Sequence, residues 1–406
     1  KLLEQLRIEQ DEEVKTEIFV ALGAACHYAF LPNSPIKISL EIREQTLEWS
    51  AKYLFDTDPK KSQKGAEVIK KLLEQNGVTS VDVEIYLGLL AERYEREGDK
   101  ADGALRGELL SKMAGLCAQG SACKVESAKL FGPIFEEALG DETDLVREAA
   151  VDGLIYVDST RVLKTLRKSL VNDPSIRVRE RLINLAGEIG GKDDLVWLWE
   201  KMGSTAESGP AWGAMLKIFK RSDAAVLVEW TGRFNSLGTK GRLSDEQMLP
   251  VLEIAEQKAV VENKVKMLKD VREKLAGLYK KSGKFEQAAD YLGRLHEAAQ
   301  APEEKELILA DLLDVYLRWP NVEGAARLVD NYLLGKDLES NSPIVLSIEG
   351  YLSEPPAGAD PNLVVEALLA KIKTAENKPK WQEQLKRWTE RLGRVRELSK
   401  PEKANN

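Results

Sequence analysis

Two stretches, "DETDLVREAAVDGL" over Asp141–Leu154 and "NDPSIRVRERLINLA" over Asn172–Ala186, carry one pattern twice, 32 residues apart. With Val146 set on Val178, Asp141 falls on Asp173, Arg147 on Arg179 and Glu148 on Glu180, while Ala150 and Leu154 fall on the apolar Leu182 and Ala186. Each copy reads as a turn followed by a helix. Val146, Ala150 and Leu154 recur at intervals of four and so lie along one helical stripe. The preceding "IFEEALG" and "VLKTLRKSLVN" supply a first helix for each copy, and Pro174 stops the second of these. The unit is therefore a helical hairpin. No hairpin buries its stripe alone, so the pattern predicts hairpins stacked on one another.

The turn Asp, the Val-Arg pair and the spaced apolar residues resemble the HEAT repeat. Weaker copies occur at Val14, Lys15 and Leu22, at Leu105, Arg106 and Met113, and at Ala211, Met215 and Phe219. Between them, 39–97 reads as helices without a clean signature. After the Gly-containing linker "NSLGTKGRLSDE" the pattern changes. Leu275, Tyr279, Gly283, Ala288 and Leu292 resemble the tetratricopeptide repeat, as do Leu312, Tyr316, Pro320, Ala325 and Val329. The two copies lie 37 residues apart, against the ~34 usual for that family. A third, more diverged hairpin is expected around 344–351 and 363–372.

The chain has 406 residues, 43% hydrophobic, 31% charged and 6% aromatic, a composition of long helices with enough apolar surface for a core. Its formal charge of -8 disfavours generic nucleic-acid binding. The nearly apolar run from Ile18 to Leu31 is shorter than the ~18–20 residues that span a bilayer, so it reads as a buried helix. Three cysteines, Cys26, Cys117 and Cys123, are too few for a disulfide framework. Cys117 and Cys123 bracket a short loop and read as free thiols in preference to a small disulfide. The compartment stays open between a cytoplasmic protein and an exported one whose leader is absent from this chain.

Candidate site residues fall into two groups. Arg147 and Arg179, recurring in step with Asp141 and Asp173, read as a structural ladder between neighbouring hairpins, ahead of an exposed row of cations that would include Arg106. Trp197, Trp212 and Trp230 form a candidate partner-binding patch, set against packing between repeats as the duller alternative. In "DDLVWLWEKM", Leu195, Leu198, Trp199 and Met202 read as the core stripe, which leaves Trp197 pointing elsewhere. Trp381 and Trp388 belong to a terminal seam with Leu385, Leu392 and Val395. From Lys378 to Lys403 nine Lys or Arg and four Glu give +5, so this amphipathic helix suits either an end cap or a membrane or partner surface.

Catalytic and metal-binding patterns are nearly absent. His27 and His296 are the two histidines, Cys26-His27 cannot converge on one metal, and "GEIGGKDD" lacks the Gly offset and the hydroxyl residue of a phosphate loop. No metal, cofactor or small-molecule substrate is inferred.

The expectation is an all-α solenoid of stacked antiparallel hairpins. HEAT-like repeats occupy 1–235, a linker 236–246, tetratricopeptide-like repeats 247–375 and a capping helix and tail 376–406. The resemblance implies a non-catalytic scaffold that grips a protein or peptide in its groove, within the assembly of a larger complex. The alternatives it implies are a HEAT-like enzyme, of the DNA glycosylase or chromophore lyase type, and a peripheral membrane adaptor acting through 378–403.

Overall fold

A computed structural model describes residues 1–29, 33–35, 37–74, 80–97, 103–118, 123–157, 162–236, 244–319, 321–328, 342–353, 365–367, 369–370 and 379–398. The fold is an all-α solenoid, with no strand among the described residues. The chain divides into two compact units, Lys1–Ile218 and Phe219–Asn406. The expected linker, 236–246, lies largely outside the described residues, as do Pro320 and the loop of the third expected tetratricopeptide-like hairpin.

Unit 1 contains α1 (Leu2–Ile8), α2 (Glu12–Ala29), α3 (Leu40–Leu54), α4 (Pro59–Leu73), α5 (Ser80–Glu97), α6 (Gly103–Cys117), α7 (Lys124–Ala138), α8 (Asp144–Val157), α9 (Val162–Leu170), α10 (Ile176–Ile189) and α11 (Leu195–Lys201). A 3₁₀ turn at Lys192–Asp194 leads into α11, and α12 (Ser208–Arg221) runs to the end of the unit and three residues past it. Helix starts follow local chemistry. Asp58 accepts the Lys60 amide at 2.9 Å ahead of Pro59, which lacks an amide hydrogen and fits the first helical position. Asp141 and Asp173 accept the amides of Thr143 and Ser175 at 2.8 and 2.9 Å, turning the chain into α8 and α10.

Odd and even helices pair as hairpins, α1 with α2 through α9 with α10. The even helices also pack in sequence, α2 on α4, α4 on α6, α6 on α8 and α8 on α10, so they form one layer, while α3, α5 and α7 adjoin in the other. Leu6, Phe19, Leu72, Leu109, Phe131, Val146, Leu166 and Leu185 fill the space between the layers and are fully buried. Phe19 stacks on Tyr53 with ring centroids 4.3 Å apart.

Unit 2 contains α13 (Ala224–Ser236), α14 (Asp245–Val261), α15 (Val265–Lys281), α16 (Phe285–Ala298), α17 (Pro302–Arg318), α18 (Val322–Leu328), α19 (Pro343–Ser353) and α20 (Pro379–Leu398). Consecutive helices pack from α13 to α18, α17 also packs on α19, and α19 on α20. Ser244 and Gln247 form a capping box at the start of α14. Asn263 and Gly283, with φ of 53° and 72°, end α14 and α15 in the left-handed conformation. There the Lys264 amide donates to the Ala259 carbonyl and the Lys284 amide to the Tyr279 carbonyl, each at 2.9 Å. Asn tolerates that region better than most side chains and glycine enters it without strain.

The closest helix approach in the second hairpin depends on Gly65. A Cβ there would meet the Leu54 amide nitrogen at 2.4 Å and the Ser50 carbonyl oxygen at 2.7 Å, both backbone atoms that cannot swing aside. Gly65→Ala should therefore destabilise the chain by about 1–3 kcal/mol through overpacking. Gly88→Ala, where a Cβ meets nothing within 4 Å on α5, should be neutral or stabilising by up to about 1 kcal/mol. Denaturant midpoints of the two variants decide it, and equal midpoints would contradict the close approach of α3 and α4.

Candidate protein-docking surfaces

Three arginines cross from one hairpin to the next. Arg106 of α6 donates to both Asp141 carboxylate oxygens at 2.5 and 3.1 Å. Arg147 of α8 makes a bidentate pair with Asp173 at 2.7 and 2.8 Å, and Arg179 of α10 reaches Glu207 at 2.7 Å. Other donors of Arg147 and Arg179 bind backbone. Arg147 donates to the carbonyls of Asp141 and Glu142 at 2.7 and 2.9 Å, and Arg179 to those of Asp173 and Pro174 at 2.5 and 3.2 Å. Arg147 and Arg179 thus close their own turns and grip the acid of the next, a task suited to the planar five-donor fork of Arg, whereas Arg106 holds Asp141 alone and its Nε finds no acceptor among the described residues.

The Arg147–Asp173 rung is buried, with Arg147 at 7% exposure and Asp173 at 6%, so it holds the stack and offers nothing to a partner, while Arg179 is half-buried. Burial alone raises the Asp173 carboxyl. The Arg147 hydrogen bonds, the Ser175 amide and the charges of Arg147 and Arg179 outweigh it and hold the group below its ordinary value. Glu207 escaped the sequence pattern because it stands 34 residues after Asp173, two beyond the repeat position, which Thr205 occupies. Its signal was its place immediately before the helix that opens "SGP".

Outside the rungs, the second helices of successive hairpins tie their outward charges to each other. Arg177 pairs with Glu148 at 2.9 Å, Arg181 with Asp152, and Lys217 with Glu188 at 3.8 Å. A partner lying on this face meets charges that are already matched. In unit 2, Lys269 of α15 pairs with Glu304 of α17 at 2.5 Å, and Lys280 pairs with Asp314 at 2.7 Å. Between these pairs runs a cleft of about 590 Å³ with Ala276, Leu292, Leu295 and Ile308 in its walls. Gly277 and Leu307 are exposed there, Leu307 by 58%. Behind it, Glu256 accepts from Arg272 at 2.9 Å and from Arg294 at 3.5 Å, while Tyr279 stacks on Tyr291 and donates to Glu253. Burial first and then the Glu253 carboxylate push the Tyr279 hydroxyl far above its usual range, so it stays a donor.

The candidate tryptophans sit on four helices, Trp197 and Trp212 in unit 1, Trp230, Trp381 and Trp388 in unit 2. Trp197 is buried in α11, with the Arg167 guanidinium 4.8 Å above its ring and Arg167 held by Asp194 at 2.8 Å. The stripe of α11 is accordingly Leu195, Trp197 and Leu198, whereas Trp199 is half-buried and Val196 exposed. That corrects the expected stripe. α11 is only seven residues long, too short for its periodicity to fix a stripe, and Arg167 covers one face of Trp197. Trp230 is buried in α13, edge-on to Phe219 at 6.5 Å. Trp212 is half-buried on α12 beside exposed Gly209 and Gly213. Trp388 is 1% exposed and shares the covered face of α20 with Leu392 and Gln384, so this part of the seam is spent on packing. The side chains of Trp381 and Val395 lie outside the described residues. Cys26, Cys117 and Cys123 are buried, and none forms a disulfide among the described residues.

His27 lies with Nδ1 3.1 Å from the Lys71 carbonyl in unit 1, and His296 belongs to unit 2. Among the described residues no three His, Cys, Asp or Glu side chains gather as a metal site, and no helix is long and apolar enough to cross a membrane.

Residues 133–209, which hold α8 to α11 and the acids Asp141, Asp173 and Glu207, match the family model for HEAT repeats. This stretch is HEAT-repeat sequence. Among solved structures, an engineered protein shows 13% identity and a TM-score of 0.32, with 97% of this chain and 98% of that one covered. A circular tandem repeat protein with novel repeat topology shows 16% and 0.26, covering 95% and 97%. A structure of tubulin recruitment and assembly by microtubule polymerases with TOG-domain arrays shows 13% and 0.24, covering 99% and 86%. No curated protein matches the chain.

Breaking a HEAT rung should be costly. Arg147→Ala leaves Asp173 buried without its partner and should cost about 3–5 kcal/mol, whereas Arg177→Ala, in a half-exposed pair, should cost no more than about 1 kcal/mol. Combining Arg147→Ala with Asp173→Ala should cost less than the sum, and additive values would refute a direct rung. Since folding depresses the Asp173 carboxyl, its stabilisation is complete above the ordinary Asp value near 3.8 and is lost as pH falls from there through the folded value. Asp173→Asn should flatten that part of the acid-unfolding curve, read from denaturant midpoints across this pH range.

Proposed function

We propose that the protein is a non-catalytic scaffold that holds protein partners on its helical layers within a larger assembly. The observation that carries this reading is the cleft between α15 and α17. It combines an apolar floor with a charged rim and leaves Leu307 exposed, an arrangement fitted to an extended peptide with alternating apolar and polar side chains. The HEAT segment supports a scaffold role in general, since stacked hairpins expose long surfaces that need no single deep pocket. The partner class is protein. Against a membrane adaptor stands the covered face of α20, whose Trp388 and Leu392 are already buried.

The test uses the full chain with an affinity tag, recovered from its native cells with its bound proteins. Gly277→Trp with Leu307→Glu fills and charges the cleft at two exposed positions. The variant should keep its unfolding midpoint within about 0.5 kcal/mol and lose a defined partner set by at least about tenfold in recovery. Recovery of the same partners by both proteins, or of none by either, would remove the cleft as the docking surface.

A further inference from the structure

A cavity of about 990 Å³ opens in unit 1 between α9, the bend at 189–191, the Lys192–Asp194 turn and α11. Its origin is the thinning of one layer. α7 has 15 residues, but α9 has nine and α11 seven, so the odd-numbered helices no longer span the full depth of the even ones. On α9, Lys164, Arg167 and Lys168 stand at spacings of three and four and share one face, the face that lines the cavity. Arg167 is committed to Asp194 and lies over Trp197. Lys164 and Lys168 are exposed and pair with no acid among the described residues. Trp197 is more than nine-tenths buried, lines the cavity, and its indole N–H finds no acceptor among the described residues.

This combination differs from the rest of the HEAT segment, where the cations of the rungs and of the second-helix face are already matched. We propose that the cavity docks an acidic peptide segment of a protein partner. Lys164 and Lys168 meet its carboxylates, and apolar side chains of the peptide lie on the half-buried Val171 and Ile189, within the same lining as Trp197. Charge complementarity selects the occupant, because Lys164 and Lys168, which pair with no acid among the described residues, outnumber Asp193, the one acid of the lining outside the Arg167–Asp194 pair. A nucleic acid fits less well. Three cations reach few phosphates, the apolar wall gives a sugar-phosphate chain nothing, and the chain carries -8 overall. The site stands apart from the α15–α17 cleft, so failure of either leaves the other intact.

The test pans a phage-displayed library of random peptides on the full chain and counter-selects on the Lys164→Glu, Lys168→Glu double variant. Both positions are exposed, so the variant should fold. Peptides retained only by the unmodified chain should be rich in Asp and Glu with interspersed apolar residues. A synthetic copy should bind the double variant at least about tenfold more weakly and lose affinity as salt rises. It should also shift the Trp197 indole N–H resonance, assigned by its absence in Trp197→Phe. The proposal fails if the retained peptides are not acidic, if none depends on the two lysines, or if the Trp197 resonance stays in place. It also fails if a duplex DNA oligonucleotide binds through these lysines while the peptides do not.

Discussion

A buried guanidinium that must reach two turns at once is the constraint on which the first unit depends. Arg147 satisfies the carbonyls of the turn behind it and the carboxylate of the turn ahead, and Arg179 repeats this one hairpin later. A charge as far from water as that of Arg147 is tolerable when its donors are answered, which ties α8 to the turn at Asp173. The acid is constrained in turn. Asp141 and Asp173 receive an arginine from the preceding hairpin while accepting the amide that starts their own helix, so one residue fixes both where a helix begins and where its neighbour lies.

That dual role explains what was legible before any coordinates. Asp, Arg and the apolar stripe are all set by contacts that recur identically, so they reappear at a fixed spacing, and the all-α hairpin stack follows from it. Glu207 breaks the spacing because its longer side chain reaches Arg179 from two residues further along. The last rung is chemically equivalent and invisible to an alignment by position. Trp197 and Trp199 show a different limit. Periodicity identifies a stripe only when a helix is long enough to have one, and in the seven residues of α11 it does not tell which indole is covered.

Unit 2 solves the same problem with other groups. Glu256 between Arg272 and Arg294 gathers α14, α15 and α16 around one carboxylate, and Tyr279 with Tyr291 fills the hairpin interior. Here the anchors lie within neighbouring helices, and the turns at Asn263 and Gly283 carry the chain reversals by backbone conformation. The Tyr and Gly of this pattern stand out in sequence, being a large residue and a conformationally free one. The Glu–Arg cluster does not, since its members lie 16 and 38 residues apart among many other charges.

Where charges are mutually satisfied, a surface has little to gain from a partner, so the stacking chemistry itself marks where binding is left to occur. Lys201 of α11 donates to the Val171 carbonyl at 3.3 Å and pairs with Glu207 at 3.4 Å, which joins the wall of the α9–α11 cavity to the last rung. In a stack whose stability is a sum of neighbour contacts, a ligand that bridged α9 and α11 would add a restraint beside the last rung. Binding there would then be linked to folding of the final HEAT hairpin. A ligand that prefers the ordered rung must raise its stability by an amount set by its concentration and affinity, and a weakened rung must in turn lower the affinity for that ligand.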